Sequence, residues 1–434
     1  MKSNWAGNVT YSAERFHEPT SVEQLQEVVA GASRVHAVGT GHSFNPIADS
    51  PGDLVSTARL PLRCEIDERS STVTVSSGTT YAELASRLHA SGHALANLAS
   101  LPHISVAGAC ATGTHGSGAA LGVLGTSVVA LEVVGADGEL ASVRGGTDRH
   151  RDASTVPTPR TGLSAPGLDG VVVALGALGV VTTVTLALLP TFEVRQVVYD
   201  RVSREVAFGR LDEVLASAYS VSLFTRWAED DLGQVWVKHR VEAGAPWSPA
   251  TELLGAPSAR EARHPVPGMD PATCTQQLGV PGAWHERLPH FRVEHTPSSG
   301  DELQSEYLVA RADAPGALDA IAGIATRVAP VLQISEIRSV AADQLWLSPA
   351  YHRDSVAIHF TWIDDTTAVA PVVDLVEERL APFAARPHWG KVSHVPADRL
   401  HELYERLADF SVLAERLDPD HRFRNDLLDR CLSG

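Results

Sequence analysis

The chain has 434 residues, with 35 Lys or Arg against 52 Asp or Glu and a formal net charge of −17. That acidic balance excludes the bulk positive field that nonspecific nucleic-acid or anionic-membrane binding needs. A hydrophobic fraction of 44% with 20% charged residues excludes a disordered chain, and the length predicts two or three domains.

Short strands and helices alternate through the first third. Thr20 or Ser21, with Glu23 or Gln24 three residues on, forms a capping box before Val22, Leu25 and Val28/Val29 at helical spacing. Arg34–Val38 reads as a strand that ends at Gly39-Thr40-Gly41. Thr72–Val75 alternates as a strand, and Thr80 with Glu83 caps a helix carrying Leu84 and Leu88. A glycine-rich loop is predicted from Gly108 to Gly125. Val128–Val134 is a buried strand, and Ala136-Asp137-Gly138 is a hairpin turn. His150–Gly170 reads as a Pro-, Ser- and Thr-rich surface loop. Val171–Leu189 carries no charge over a length that can span a bilayer. Its glycines, threonines and valines instead predict two buried pieces joined at Gly176–Gly179.

After Pro190 the pattern changes. Val221–Trp227 and Gln234–Arg240 are predicted as paired strands, followed by a Pro-rich stretch from Pro246 to Pro281. Then come a strand (Gln304–Val309), a helix (Leu318–Val328), two strands (Leu332–Val340 and Val356–Ile363) and a helix (Val372–Leu380). This order is α+β. The tail from Leu400 to Arg430 is mainly helical, broken at Asp418-Pro419. The four cysteines, Cys64, Cys110, Cys274 and Cys431, lack metal-ligand or redox spacing and predict free buried thiols. Met1–Trp5 lacks the apolar core of a signal peptide, so the expected location is the cytoplasm. Lysine occurs only at Lys2, Lys238 and Lys391 in a chain otherwise rich in arginine. Codon bias explains the average, yet each internal lysine poses a question, because ammonium and guanidinium differ in hydration and in ease of deprotonation.

Gly39-Thr40-Gly41-His42-Ser43-Phe44 begins like a dinucleotide fingerprint, but Phe44 stands where a third glycine belongs. Two readings fit this hexapeptide: an ordinary glycine turn, or a nest of backbone amides for a pyrophosphate beside His42. Ala99–Gly118 is dominated by small residues and has no Asp, Glu, Lys or Arg, so its backbone can approach a flat or anionic ligand closely. On the later strands, alternation gives Glu336 and Arg338 one face, His359 and Thr361 one face, and Gln304 and Glu306 one face. Such a face either lies in water or lines a polar cleft suited to a polyhydroxyl ligand. Lys391 sits in the aromatic, glycine-flanked run Arg386–Val392.

These motifs together resemble the alditol oxidase (xylitol oxidase) group of the vanillyl-alcohol-oxidase-type FAD flavoproteins. The resemblance rests on Asn4–Asn8, Gly41–Asn45, Ala99–Gly108, Ala111–Gly118 and Gly176–Thr182, and further on Tyr219–Thr225, His264–Met269, Trp284–Phe291, Thr296–Tyr307, Glu336–Arg338 and Arg386–Val392. It implies a two-domain fold: an FAD-binding domain over 1–190, an antiparallel-sheet substrate cap over 191–385, and a segment over 386–434 returning to the FAD-binding domain and active site. It implies FAD linked covalently through His42 and to no cysteine. Cofactor contacts carry over to Gly39, Thr40, Gly41, Ser43, Ser100, Ser105, Gly108, Thr112, Gly113, His115 and Val180. The polyol site carries over to Ser100, Gln304, Glu336, Arg338, His359, Thr361 and Lys391, with Lys391, Arg338 and Glu336 in catalytic roles. The implied reaction oxidises the terminal alcohol of an alditol and reduces oxygen to hydrogen peroxide. The implied partners are a polyol and oxygen, with no metal and a monomeric chain. A sugar-lactone oxidase or dehydrogenase and a non-catalytic carbohydrate-binding protein are the alternatives. The long 150–170 loop and Ser393-His394 depart from the group's pattern.

Overall fold

A computed structural model describes residues 2–145, 167–241, 247–295 and 301–432. The predicted loop therefore lies outside the described residues over 146–166, although Leu168–Val171 forms a short helix at its end. The first third holds a three-stranded parallel sheet of Arg15–His17, Asp53–Ser56 and Val35–Val38, and a five-stranded antiparallel sheet that includes Val128–Val134 and Val180–Ala187. Ser21 caps the helix Val22–Gly31, and Thr80 with Glu83 closes the predicted capping box on Tyr81–Ala90. Thr80→Ala removes that cap and is expected to lower stability by about 1 kcal/mol, read as a lower denaturant midpoint with an unchanged slope.

Small residues do not make 108–125 one loop. Val106–Ala111 is helical, because Val106, Ala109 and Cys110 are buried on one side and Gly108 faces Ser105 on the other. Val180–Ala187 alternates buried and half-buried residues as a strand. No helix among the described residues is long and apolar enough to cross a membrane. Cys110, Cys274 and Cys431 are buried, whereas Cys64 is half-buried, and all four thiols are free.

The middle of the chain builds one eight-stranded antiparallel sheet. Its order is Gly282–Ala283, Glu193–Ser203, Asp231–Arg240, Ser220–Thr225, Leu332–Val340, Ser355–Ile363, Glu302–Ala310 and Arg386–Pro387. Helices cover one face, where Leu223, Ile337, Ile358 and Phe360 pack with Leu318, Val373 and Val376. Burial of each such side chain contributes roughly 1.5–3 kcal/mol. The predicted helix 318–328 is two pieces, Ala314–Ala322 and Ala325–Val328, interrupted at Gly323. The C-terminal helices Ala397–Leu403, Leu407–Leu417 and Asp426–Leu432 return to the first core, where Phe410, Leu413 and Leu428 join Leu84 and Val106.

Candidate active site

The other face of the large sheet carries the polar residues that alternation grouped, and it is buried rather than solvated. Strand register sets Glu336 opposite His359 and His359 opposite Glu306, with Gln304 opposite Thr361. All of these are less than 10% exposed. They form one wall of a cavity of about 1100 Å³. The cavity continues past Ser100 to the Gly39–Phe44 loop and Ser105–Thr112, and reaches Asp137, Pro419 and Arg422 at its far end.

Two loops meet closely in its middle. A Cβ on Gly39 would lie 2.2 Å from Ser105 Oγ, and one on Gly108 would lie 2.8 Å from the same atom. A side chain at either position would make the Ser105 hydroxyl shift. Thr40 Oγ1 accepts from the Ser105 amide at 3.3 Å. Next to it, His42 Nδ1 lies 3.0 Å from Thr40 Oγ1, and the His42 ring stacks on Trp5 with centroids 5.0 Å apart. Burial, and then the charge of Lys391, pull His42 down to about 4, so its ring is neutral at pH 7.

The chain links this loop directly to Lys391. Phe44 N donates to Gly390 O at 2.8 Å, and Asn45 Nδ2 donates to the carbonyls of Trp389 and Lys391, each at 2.8 Å. On the opposite side, His388 N donates to Glu306 O and Val392 N to Gln304 O. Lys391 is thus pinned between the glycine loop and the sheet. Its Nζ donates to Gln304 Oε1 and stands 5.1 Å from the Phe44 ring centroid. Burial lowers Lys391 to about 8, against the opposing charge of Glu306. After Lys391, the divergent pair Ser393-His394 binds Glu377 and Asp374 on the helix Thr366–Leu380.

Glu306 is the hub that the sequence-based site omits. Its carboxylate accepts from Arg338 Nη2 at 2.7 Å and lies 3.2 Å from His115 Nε2 and 3.4 Å from His359 Nδ1. Burial alone raises a carboxyl, yet Arg338, then His115 and His359, hold Glu306 well below the usual carboxylate range. Arg338 Nη1 also donates to Ser100 Oγ at 3.3 Å. Glu336 Oε1 lies 2.7 Å from His290 Nε2 and 3.7 Å from Arg338 Nε. His115 Nε2, Arg338 Nε and His359 Nδ1 are buried against the Glu306 and Glu336 carboxylates, outside well-aligned hydrogen-bond geometry. A cavity wall that mixes Gln, Glu, Arg, His and Thr side chains suits a ligand with several hydroxyls.

Gly39, Thr40, Gly41, His42, Ser43, Ser100, Ser105, Gly108, Thr112, His115, Gln304, Glu336, Arg338, His359, Thr361 and Lys391 all line this one cavity. Two expected cofactor contacts do not. Val180 pairs with Val134 and sits in a small core with Leu25 and Val35, while its neighbours Gly179 and Val181 reach the cavity. Gly113 takes a φ of +69° against Pro349 and serves as a turn. Beyond Glu306, lining residues absent from the expected site include His388 and His290. Alternation with Gln304 marks Glu306, whereas His388 and His290 lie in the motifs Arg386–Val392 and Trp284–Phe291, whose sequence has no period that would place them.

A model of the FAD binding domain matches residues 13–144, and a D-arabinono-1,4-lactone oxidase model matches residues 301–431. The alditol oxidase of a Streptomyces species is 49% identical over 437 residues, spanning 100% of this chain and 99% of that one. The chain belongs to the alditol oxidase family. It is a vanillyl-alcohol-oxidase-type flavoprotein, and its cofactor is FAD. The L-gulono-1,4-lactone dehydrogenase of Mycobacterium tuberculosis is more distant, at 28% identity across 99% of this chain and 98% of that one. A xylooligosaccharide oxidase from Myceliophthora thermophila, solved with xylobiose, shares the fold. It superposes with a TM-score of 0.72 at 15% identity, covering 97% of this chain and 92% of that one. Within this alditol oxidase family fold, the elongated cavity with its tight glycine middle fits an extended dinucleotide carrying a flat ring.

Proposed function

We propose that the chain oxidises the terminal primary alcohol of alditols, of the xylitol and sorbitol class, to the aldehyde, with oxygen reduced to hydrogen peroxide. One observation carries this reading: the polar sheet face, with both Arg338 and Lys391, opens into the same cavity as the Gly39–Phe44 loop. FAD, when bound, supplies the hydride acceptor and the route of electrons to oxygen.

The residues then divide the work. The Lys391 ammonium and the Arg338 guanidinium stabilise negative charge developing on the C1 oxygen. Glu336 and Glu306 keep Arg338 charged and oriented, since both carboxylates raise its pKa against the effect of burial. Ser100, Gln304, His359 and Thr361 bind the remaining hydroxyls. Gly39, Thr40, Gly41, Ser43, Ser105, Gly108, Thr112 and His115 hold the cofactor, with His42 as its covalent attachment point. A neutral His42 ring supports that role, because one ring nitrogen keeps its lone pair.

The same reading divides the chain at 1–190, 191–385 and 386–434. Two large cores support this, although residues of 191–385, among them Phe192, Val194, Trp284, Leu308, Leu345 and Leu347, also pack in the first core. A monomer in the cytoplasm completes the proposal.

His42→Ala is expected to yield protein whose flavin is released by acid, whereas the parent keeps flavin mass on the chain after acid denaturation. A flavin adduct retained in the variant overturns the attachment. Peroxide release is then measured with xylitol, sorbitol and a series of sugar lactones. The lactone oxidase match over residues 301–431 spans the polar face, so lactone oxidation is the second reading. Turnover with lactones and none with polyols selects it.

A further inference from the structure

Lys238 is the second internal lysine, and it lies behind the site rather than in it. It stands on the same face of the sheet as Arg338, reached through Trp236 and Ser222 in the strand register. The residue is 1% exposed. Its Nζ has three acceptors: Leu288 O at 2.5 Å, Pro289 O at 3.1 Å and His290 Nδ1 at 3.1 Å. An ammonium has three N–H donors and accepts nothing, so it satisfies all three only if His290 Nδ1 carries no proton. The imidazole proton then sits on Nε2, 2.7 Å from Glu336 Oε1. Aromatic rings hold the imidazole edge-on: Phe224 at 5.4 Å, Trp236 at 5.2 Å and Phe291 at 6.3 Å between centroids. The His290 amide also donates to Ser100 O at 3.2 Å, which ties the same residue to a second site element.

We propose that Lys238 and His290 are positioning residues: Lys238 selects the Nε2–H tautomer of His290, and that N–H fixes the Glu336 carboxylate beside Arg338. The relay rests on the alditol oxidase reading for its effect on turnover. It runs Lys238–His290–Glu336–Arg338–Glu306 and sets the Arg338 guanidinium between two carboxylates; burial lowers Lys238 to about 7, and in its protonated form it adds the second cation. It also explains a lysine in an arginine-rich chain. A compact ammonium meets three convergent acceptors, and a planar guanidinium fork does not.

Two substitutions separate this role from packing. His290→Phe keeps the ring and removes the donor, while His290→Gln loses the ring and keeps an amide N–H. The relay predicts that His290→Phe lowers the limiting rate of anaerobic flavin reduction by xylitol roughly 10- to 100-fold, the cost of one lost charge-assisted bond. His290→Gln stays within about fivefold of the parent, because a donor to Glu336 remains. A packing role gives the reverse order, and that result overturns the proposal. A second measurement needs no substrate. In ¹⁵N-histidine spectra of the parent holoenzyme, the signal missing from His290→Phe reports a proton on Nε2 alone. In Lys238→Met the same signal shifts toward a tautomer mixture. A proton on Nδ1 or on both nitrogens in the parent overturns the relay. If no polyol reduces the parent flavin, the alditol reading falls and the relay stands or falls on these spectra.

Discussion

Lys391→Arg is expected to lower the limiting rate of flavin reduction by xylitol roughly 10²- to 10³-fold, the range seen when one preorganised stabilising donor is lost. The charge is retained, so the loss isolates shape. Nζ is confined between Gln304 Oε1 and the Phe44 ring, and the backbone at 389–391 is held by Phe44 and Asn45. A guanidinium is wider and presents its donors in a fixed fork. Anaerobic stopped-flow reduction with a polyol measures the effect, and a near-parent rate shows that Lys391 is not beside the reacting hydroxyl. The variant should also change the pH profile. In the parent, Lys391 loses its proton as pH rises through about 8, so reduction slows on the alkaline side. An arginine stays protonated there, and that limb is absent from the residual activity.

Glu306→Gln is the second large effect, and it acts on both stability and pH dependence. The carboxylate is 2% exposed and faces Arg338, His115 and His359 together. Removing it leaves buried cationic Arg338 with Glu336 as its remaining carboxylate neighbour, at a cost of about 3 kcal/mol. Denaturant unfolding reads this directly. Among the charges around Lys391, Glu306 does most to counter the downward pull of burial. Without it, the Lys391 ammonium is lost at lower pH, so the alkaline limb moves below about 8. An unchanged midpoint together with an unmoved limb would show that Glu306 is not the common counter-ion of the site.

Much of this site was legible because strand alternation has a period of two. Glu336 with Arg338, His359 with Thr361 and Gln304 with Glu306 each share a face whatever the fold does with the strand. The Thr80/Glu83 box and the Val128–Val134 hairpin are equally local, and both form as read. Elements without a clean period escaped. Glu193–Ser203 is a long strand of the large sheet, yet it buries Gln196 and turns at Arg201 with a φ of +57°. The helix Val106–Ala111 is too short and glycine-rich to show an amphipathic pattern. His290 follows a Pro-rich stretch with no period at all, so its place behind Glu336 is invisible in one dimension.

The acidic balance, the alternating strands, the small-residue loops and the scarcity of lysine were readable from the chain alone. The strand pattern and the lysine scarcity pointed to an α+β order and to Lys391, and the ordered motifs from Asn4–Asn8 to Arg386–Val392 carried the flavoprotein resemblance. Tertiary structure decided the rest. It chose a buried cleft over a solvated sheet face, set Glu306 at the centre of the cations, and turned Lys238 from a lone lysine into the base of a hydrogen-bonded relay. The reason is physical: which face of a strand is shared is a property of neighbouring residues, but a buried charge is defined by partners that lie 32 to 191 positions away, as from Glu306 to Arg338 and to His115.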